Sequence, residues 1–386
     1  MSKVAEKIRS EINVRGTISF ERFMESALYC PDYGYYEKIE DRIGQRGDFF
    51  TSVSVGPLFG QLVAAQFAEW LQKGLPTPDS GQTAPTVGSG ADLQITEAGA
   101  HDGRLANDIL AWMCAHKRDL FKRLRYSIIE PSTNRRRAQE LILADFRDQV
   151  CWFTDLDELR GANPPGSYHG VIFSNELLDA MPLRVYRWNA SQVTWIEWGV
   201  TFDSERFCWA PMAESLAPFS LGSSADDGFD VTKLSASLPD GFTVEISGTA
   251  VQWWRDAAKC LDLGWLLTFD YGLEVEQLFS PERAQGTLRA YRQHRLVPDV
   301  LVDPGDQDIT AQVNFTSLQA VGAEEGLEPL EFTSQAKFLT RAAFILWSGS
   351  PDSWDLKSTR QLQTLTHPDH LGRSFQVIVQ SRGLTG

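Results

Sequence analysis

Cysteine is scarce in this 386-residue chain, and what there is does not pair. Cys30, Cys114, Cys151, Cys208 and Cys260 are odd in number, widely scattered and never spaced as C-x-x-C. That excludes a zinc ribbon and a disulfide framework, and leaves buried small hydrophobes as the expected role. The six histidines give no ligand spacing either, so no metal is expected. Long apolar runs are absent. No stretch reaches the length of a bilayer-crossing helix, and the N-terminal MSKVAEKIRSEINVRG lacks the apolar centre of a signal peptide. No membrane insertion is expected, and the cytoplasm is the expected location. Positive charge is short: 36 Lys and Arg stand against 51 Asp and Glu, a formal net charge of −15. Such a balance argues against a nucleic-acid backbone or an anionic membrane as the main partner. Three motifs are also missing. There is no G-x-x-x-x-G-K-[ST], no complete G-x-G-x-x-G and no G-x-S-x-G, which counts against ATP, NAD and hydrolase chemistry.

What remains is the composition of an ordinary globular protein, 42% hydrophobic and 11% aromatic, long enough to bury a large core. Residues 3–30 carry helical spacing broken at Gly16-Thr17, with Ser19 placed to cap the second helix. Pro57–Leu71 reads as an amphipathic helix. From Gly74 to Gly90 the composition turns to Pro, Thr, Ser, Gly and Gln, as a flexible linker does. The organisation expected is therefore a helical cap with a glycine loop over 1–75, a linker over 76–92, and an α/β core over 93–386. Within the core, alternating Val185, Tyr186, Trp188, Val193, Trp195, Trp198, Val200 and Phe202 predict a β-rich insertion over about 184–245. Segments 286–295, 308–323 and 327–345 read as mixed helix and loop, and Phe375–Gln380 as a closing strand.

Three segments fit together as one site: Leu93–Leu105, Tyr126–Pro131 and Val171–Pro182. Each is a buried strand running into a polar loop that bears a carboxylate. A doubly wound, Rossmann-like sheet holds a nucleoside-bearing cofactor at those carboxyl ends. Glu97 closes the first strand, and Gly99 and Gly103 allow a tight turn in which backbone N–H groups approach a ligand. A carboxylate there would repel a pyrophosphate but suits the ammonium and sulfonium of S-adenosylmethionine (SAM), the expected cofactor. Glu130 closes the next strand, either to accept from both ribose hydroxyls or to serve as an acid at a helix start.

Several blocks then carry a resemblance. They are Gly47-Asp48-Phe49-Phe50-Thr51-Ser52 with Leu58-Phe59-Gly60, Ser174-Asn175-Glu176-Leu177-Leu178-Asp179-Ala180-Met181-Pro182, and Asp270-Tyr271-Gly272. Gly286-Thr287-Leu288-Arg289-Ala290-Tyr291 and Pro304-Gly305 with Asp308-Ile309-Thr310-Ala311 and Asn314-Phe315 complete the set. Together, in order from about residue 18 to the closing strand, they resemble the MidA family of SAM-dependent methyltransferases. The resemblance implies a class I methyltransferase whose acceptor is a protein arginine, with a subunit of respiratory complex I as the partner. It also implies that Gly47, Asp48 and Thr51 form a lid on the cofactor, beside Glu97, Gly99, Gly103, Glu130 and Asn175. No presequence is visible, so the family's mitochondrial setting is not expected to carry over. One position departs: the family loop is close to E-L-G-P-G-x-G, and His101 stands where its middle glycine belongs.

Arginine is cationic and a poor nucleophile, so carboxylates that bind two of its nitrogens would have to aim the third at the methyl group. Glu176, Asp179 and Asp270 are the candidates, with cap or turn roles as the plain alternative. Two other functions remain open: a non-catalytic assembly or scaffold protein on the same fold, for which His101 speaks, and a small-molecule methyltransferase.

Overall fold

The computed structural model describes residues 2–38, 51–73, 93–213, 237–293, 295–347, 355–368, 370–372 and 375–384. The expected linker 76–92, and Gly47 and Asp48 of the glycine block, lie outside the described residues. The chain forms two compact units, each drawn from three stretches. The first holds Met1–Phe49, Leu178–Trp253 and Tyr271–Val321; the second holds Phe50–Leu177, Trp254–Asp270 and Gly322–Gly386.

The second unit is built on the α/β sheet. Its strands lie in the order Glu328–Ser334, Phe375–Arg382, Leu263–Leu273, His169–Asn175, Leu93–Ala98, Leu124–Ile129 and Val150–Phe153. From Leu263–Leu273 to Val150–Phe153 each neighbouring pair is parallel. Both faces of such a sheet are covered, which is why Leu93–Ala98 is buried at all six positions, polar residues included. Most of those polar groups are satisfied internally: Gln94 Nε2 donates to Asn163 Oδ1 at 2.9 Å, and the Thr96 and Tyr168 hydroxyls share a hydrogen bond of 2.6 Å, while Gln94 Oε1 has no partner among the described residues. Leu93–Ala98, first of these strands in the chain, sits between the second and the fourth. The strand order reverses beside it, and that is where a doubly wound sheet opens a crevice at its carboxyl ends.

Helix Leu58–Lys73 packs on this sheet through aromatic contacts, Phe67 to Phe173 at 5.1 Å and Phe59 to Phe269 at 5.5 Å between ring centroids. Gly60 lets it approach helix Arg104–His116, since a Cβ there would stand 2.5 Å from Asp108 Cβ. That crowding pushes the Asp108 carboxyl up to about 6 by burial.

The first unit begins with helices Lys3–Arg15 and Phe20–Tyr29, the latter capped by Ser19 Oγ, which accepts from Arg22 N–H. Their apolar faces join Val185, Val200 and Ile309 in one core cluster. The expected β-rich insertion is an antiparallel sheet of Ile18–Ser19, Thr194–Asp203, Arg184–Asn189 and Thr243–Ile246, with Arg206–Pro211 beside Thr194–Asp203. Residues 214–236 of that insertion lie outside the described residues. A small sheet replaces the helix and loop expected after Gly286: Arg289–Arg292 pairs antiparallel with both Arg295–Val297 and Asp308–Thr310. Three or four residues are too few to show a period of two, so long-range pairing decides.

Glu245 anchors the turn that feeds this sheet. Its half-buried carboxylate accepts from the N–H and the hydroxyl of Thr287 and from Leu288 N–H, at 2.9–3.3 Å. Only glycine fits at 286, with φ +76° and a would-be Cβ overlapping the Glu245 carboxylate. Glu245→Ala strands three buried donors. The expected loss is about 3 kcal/mol, or roughly 6–10 °C in thermal unfolding followed by circular dichroism. A loss below a degree would show that water replaces the carboxylate without cost.

Candidate active site

Within the second unit, four parallel strands place Glu97, Glu130, Asn175-Glu176 and Asp270 at or near their carboxyl ends, on one end of the sheet. Glu97 is 2% exposed, and Tyr126 O–H donates to its Oε2 at 2.6 Å. Burial pushes its carboxyl up to about 8, against the Tyr126 hydrogen bond that pulls it down. The following turn is held at Gly99, whose N–H donates to the Ile129 carbonyl at 3.3 Å and whose φ is +73°. Gly103, at φ +90°, precedes helix Arg104–His116 without a side-chain cap.

His101 takes the left-handed backbone that the family's glycine would supply, at φ +47°. That costs a non-glycine residue about 1 kcal/mol. Its side chain is 31% exposed, with Nδ1 3.8 Å from Asp102 Oδ1. Burial pushes the Asp102 carboxyl up, but His101 and Arg104 outweigh it and leave that group below its ordinary value. The loop therefore keeps its glycine-type conformation with histidine in it.

Glu130 accepts from Ser132 N–H through Oε1 at 3.0 Å and from Gln139 Nε2 through Oε2 at 2.9 Å. Asn175 donates through Nδ2 to Glu176 Oε1 at 3.2 Å, while its own Oδ1 is buried with no partner among the described residues. Glu176 is a second non-glycine residue in left-handed backbone, at φ +53°. Its N–H donates to the Phe269 carbonyl at 2.9 Å, and its Oε1 accepts from Ser52 N–H at 3.1 Å. Strain of this kind persists only where surrounding contacts fix it, and it concentrates at functional sites. Asp270 is fully buried, and its Oδ2 accepts from Leu177 N–H at 3.3 Å.

Two expected residues sit elsewhere in their contacts. Thr51 closes its own turn, with Oγ1 accepting from Ser54 N–H at 3.1 Å. Asp179 belongs to the first unit, where its Oδ2 accepts from the Thr310 hydroxyl at 2.7 Å. Gly47 and Asp48 lie outside the described residues. Sequence reasoning missed Tyr126 and Gln139, which hold Glu97 and Glu130 from behind, while Ser52, which holds Glu176, lies in the block it singled out.

The donor set fits SAM. Carboxylates and an orphaned buried amide oxygen are acceptors of the kind an ammonium, a ribose diol and a sulfonium need, and Gly99 and Gly103 bring no side chain to the two ends of the turn.

Comparison with known proteins agrees. A family model described as "Putative S-adenosyl-L-methionine-dependent methyltransferase" matches residues 62–333. A Drosophila melanogaster protein named protein arginine methyltransferase NDUFAF7 homolog, mitochondrial, is 24% identical across 99% of this chain and 85% of its own length. The Mus musculus protein arginine methyltransferase NDUFAF7, mitochondrial, is 26% identical across 83% of this chain and 70% of its own. A Burkholderia thailandensis protein crystallised with S-adenosyl-homocysteine superposes with a TM-score of 0.78 at 29% identity, covering 99% of this chain and 92% of that one. The cofactor is thus SAM. These relatives also correct the expected cytoplasmic location, because the curated ones are mitochondrial by name.

Proposed function

The chain belongs to the MidA family of SAM-dependent methyltransferases, and from that premise we propose that its methyl acceptor is an arginine side chain of a protein. The arginine is supported by relatives named protein arginine methyltransferases. Within that reading the protein partner is a subunit of respiratory complex I, as the family resemblance implies.

Glu97, Gly99, Gly103, Glu130 and Asn175 are the residues proposed to hold SAM, which supplies a methyl group on an already activated sulfonium. The chain's own work is then alignment, the largest lever available to an in-line displacement with a good leaving group. Glu176 and the buried Asp270 are proposed to bind two nitrogens of the guanidinium and turn the third toward the methyl group. Binding to carboxylates also concentrates electron density on the attacking nitrogen. The observation that carries this reading is Glu176, a carboxylate held in strained backbone at a strand end by Phe269, Ser52 and Asn175. Asp179, committed to Thr310, is proposed to hold its own segment.

The test is methyl transfer from labelled SAM to arginine-bearing peptides, with amino-acid analysis of the product. Methylarginine is the expected product. Glu176→Gln, which keeps the shape but removes the charge, should lower kcat by about 10²-fold and leave the affinity for S-adenosylhomocysteine within about threefold. Label on lysine or on a small molecule would sink the arginine reading. Equal loss of cofactor affinity would move Glu176 to the cofactor side of the site.

A further inference from the structure

Helix Thr133–Ile142 reads as a solvent helix, TNRRRAQELI, yet its Gln139 is fully buried. Every polar atom of that side chain is engaged. Nε2 donates to the His101 carbonyl at 3.0 Å and to Glu130 Oε2 at 2.9 Å. Oε1 accepts from Trp152 Nε1–H at 2.9 Å. The indole is a donor only, so the amide oxygen must face it and the NH2 must face the two acceptors. The helix packs closely on the loop, where a Cβ on Gly103 would stand 3.3 Å from Gln139 Cα. One amide therefore ties the loop carrying the aberrant histidine to the acid at the end of the neighbouring strand.

We propose that Gln139 is a positioning residue for the cofactor, fixing the Glu130 carboxylate toward the ribose diol and the His101 peptide in its glycine-type conformation. The inference rests on the reading of Glu130 as the ribose acid. An apolar residue of the same volume would fill the space but release both acceptors. A carboxylate would keep the Trp152 bond and repel both. The amide is the one side chain of this size that meets a donor and two acceptors at once.

The experiment is calorimetric titration with S-adenosylhomocysteine and with its 2′,3′-dideoxy analogue. It uses the wild type, Gln139→Met, Gln139→Glu and Glu130→Gln, each with its thermal unfolding measured. The wild type should favour the hydroxylated ligand by about tenfold or more. Gln139→Met should bring that preference to within roughly twofold by weakening the hydroxylated ligand alone. Gln139→Glu, which preserves volume and the Trp152 acceptor, should weaken it further at neutral pH. Part of that affinity should return in acid, where two adjacent carboxyls share a proton. Glu130→Gln should lower the preference by itself. Equal weakening of both ligands in the Gln139 variants, or a preference kept in them and lost only in Glu130→Gln, overturns the positioning role. A wild type with no preference, unchanged in Glu130→Gln, overturns the ribose reading and the proposal with it.

Discussion

Gly99→Val is expected to abolish measurable binding of S-adenosylhomocysteine, raising Kd by about 10²-fold or more while leaving a folded protein. Two effects combine. The backbone at Gly99 is left-handed, φ +73°, a conformation that a β-branched residue adopts only under strain. A Cβ would also stand 2.9 Å from Leu177 Cδ1, so the side chain presses on the residue that follows Glu176. Leucine tips can yield, backbone cannot, and so the turn itself is expected to shift. The stability cost is about 2–3 kcal/mol. Gly99→Ala separates the effects: it carries the backbone strain with less crowding and should bind at intermediate strength. Isothermal titration of both variants, with unfolding curves alongside, decides the matter. A Gly99→Val protein that binds within threefold of the wild type would mean the cofactor does not approach this turn.

Most of the sheet was legible because its strands are apolar runs; the edge strand Glu328–Ser334 was not, its segment 327–345 having read as mixed helix and loop. Leu93–Ala98, Leu124–Ile129, His169–Asn175 and Phe375–Arg382 also announce themselves by ending at an acid or a glycine. So did the acids at their carboxyl ends, since a charged residue directly after a buried strand has few structural reasons to be there. The small sheet of Arg289–Arg292, Arg295–Val297 and Asp308–Thr310 was not legible. Its strands are held by pairings and by Glu245, a contact across some forty positions that leaves no local period. Gln139 was hidden for a related reason. An amide in a run of arginines looks solvated, and its burial follows only from where Trp152, Glu130 and His101 come together. His101, the one departure from the family loop, adopts left-handed backbone, with its imidazole beside Asp102.

Raising the pH from 5 to 9 is expected to destabilise the ligand-free protein, and Glu97→Gln to remove that slope. Burial lifts the Glu97 carboxyl from its ordinary 4.5 to about 8. Below the ordinary value both the folded and unfolded chains carry the proton, and the contribution is at its full strength. Between the two values the unfolded chain has released the proton while the folded chain still holds it. Stability therefore falls with each rise in pH and stops falling above about 8. The whole loss is of the order of 5 kcal/mol. The Tyr126 hydrogen bond opposes the shift and the Asp102 charge adds to it. Tyr126→Phe should thus extend the slope to higher pH. A cationic cofactor beside Glu97 favours the ionised carboxylate, so binding near pH 7 should expel close to one proton. Calorimetry in buffers of different ionisation enthalpy measures that proton directly. Its loss in Glu97→Gln would place the carboxylate next to the bound ammonium. No proton release from the wild type, with a stability that goes on falling across the whole range, would mean that Glu97 stays neutral against Tyr126 and serves the sheet alone; a stability that does not change would mean that Glu97 is already ionised in the folded chain.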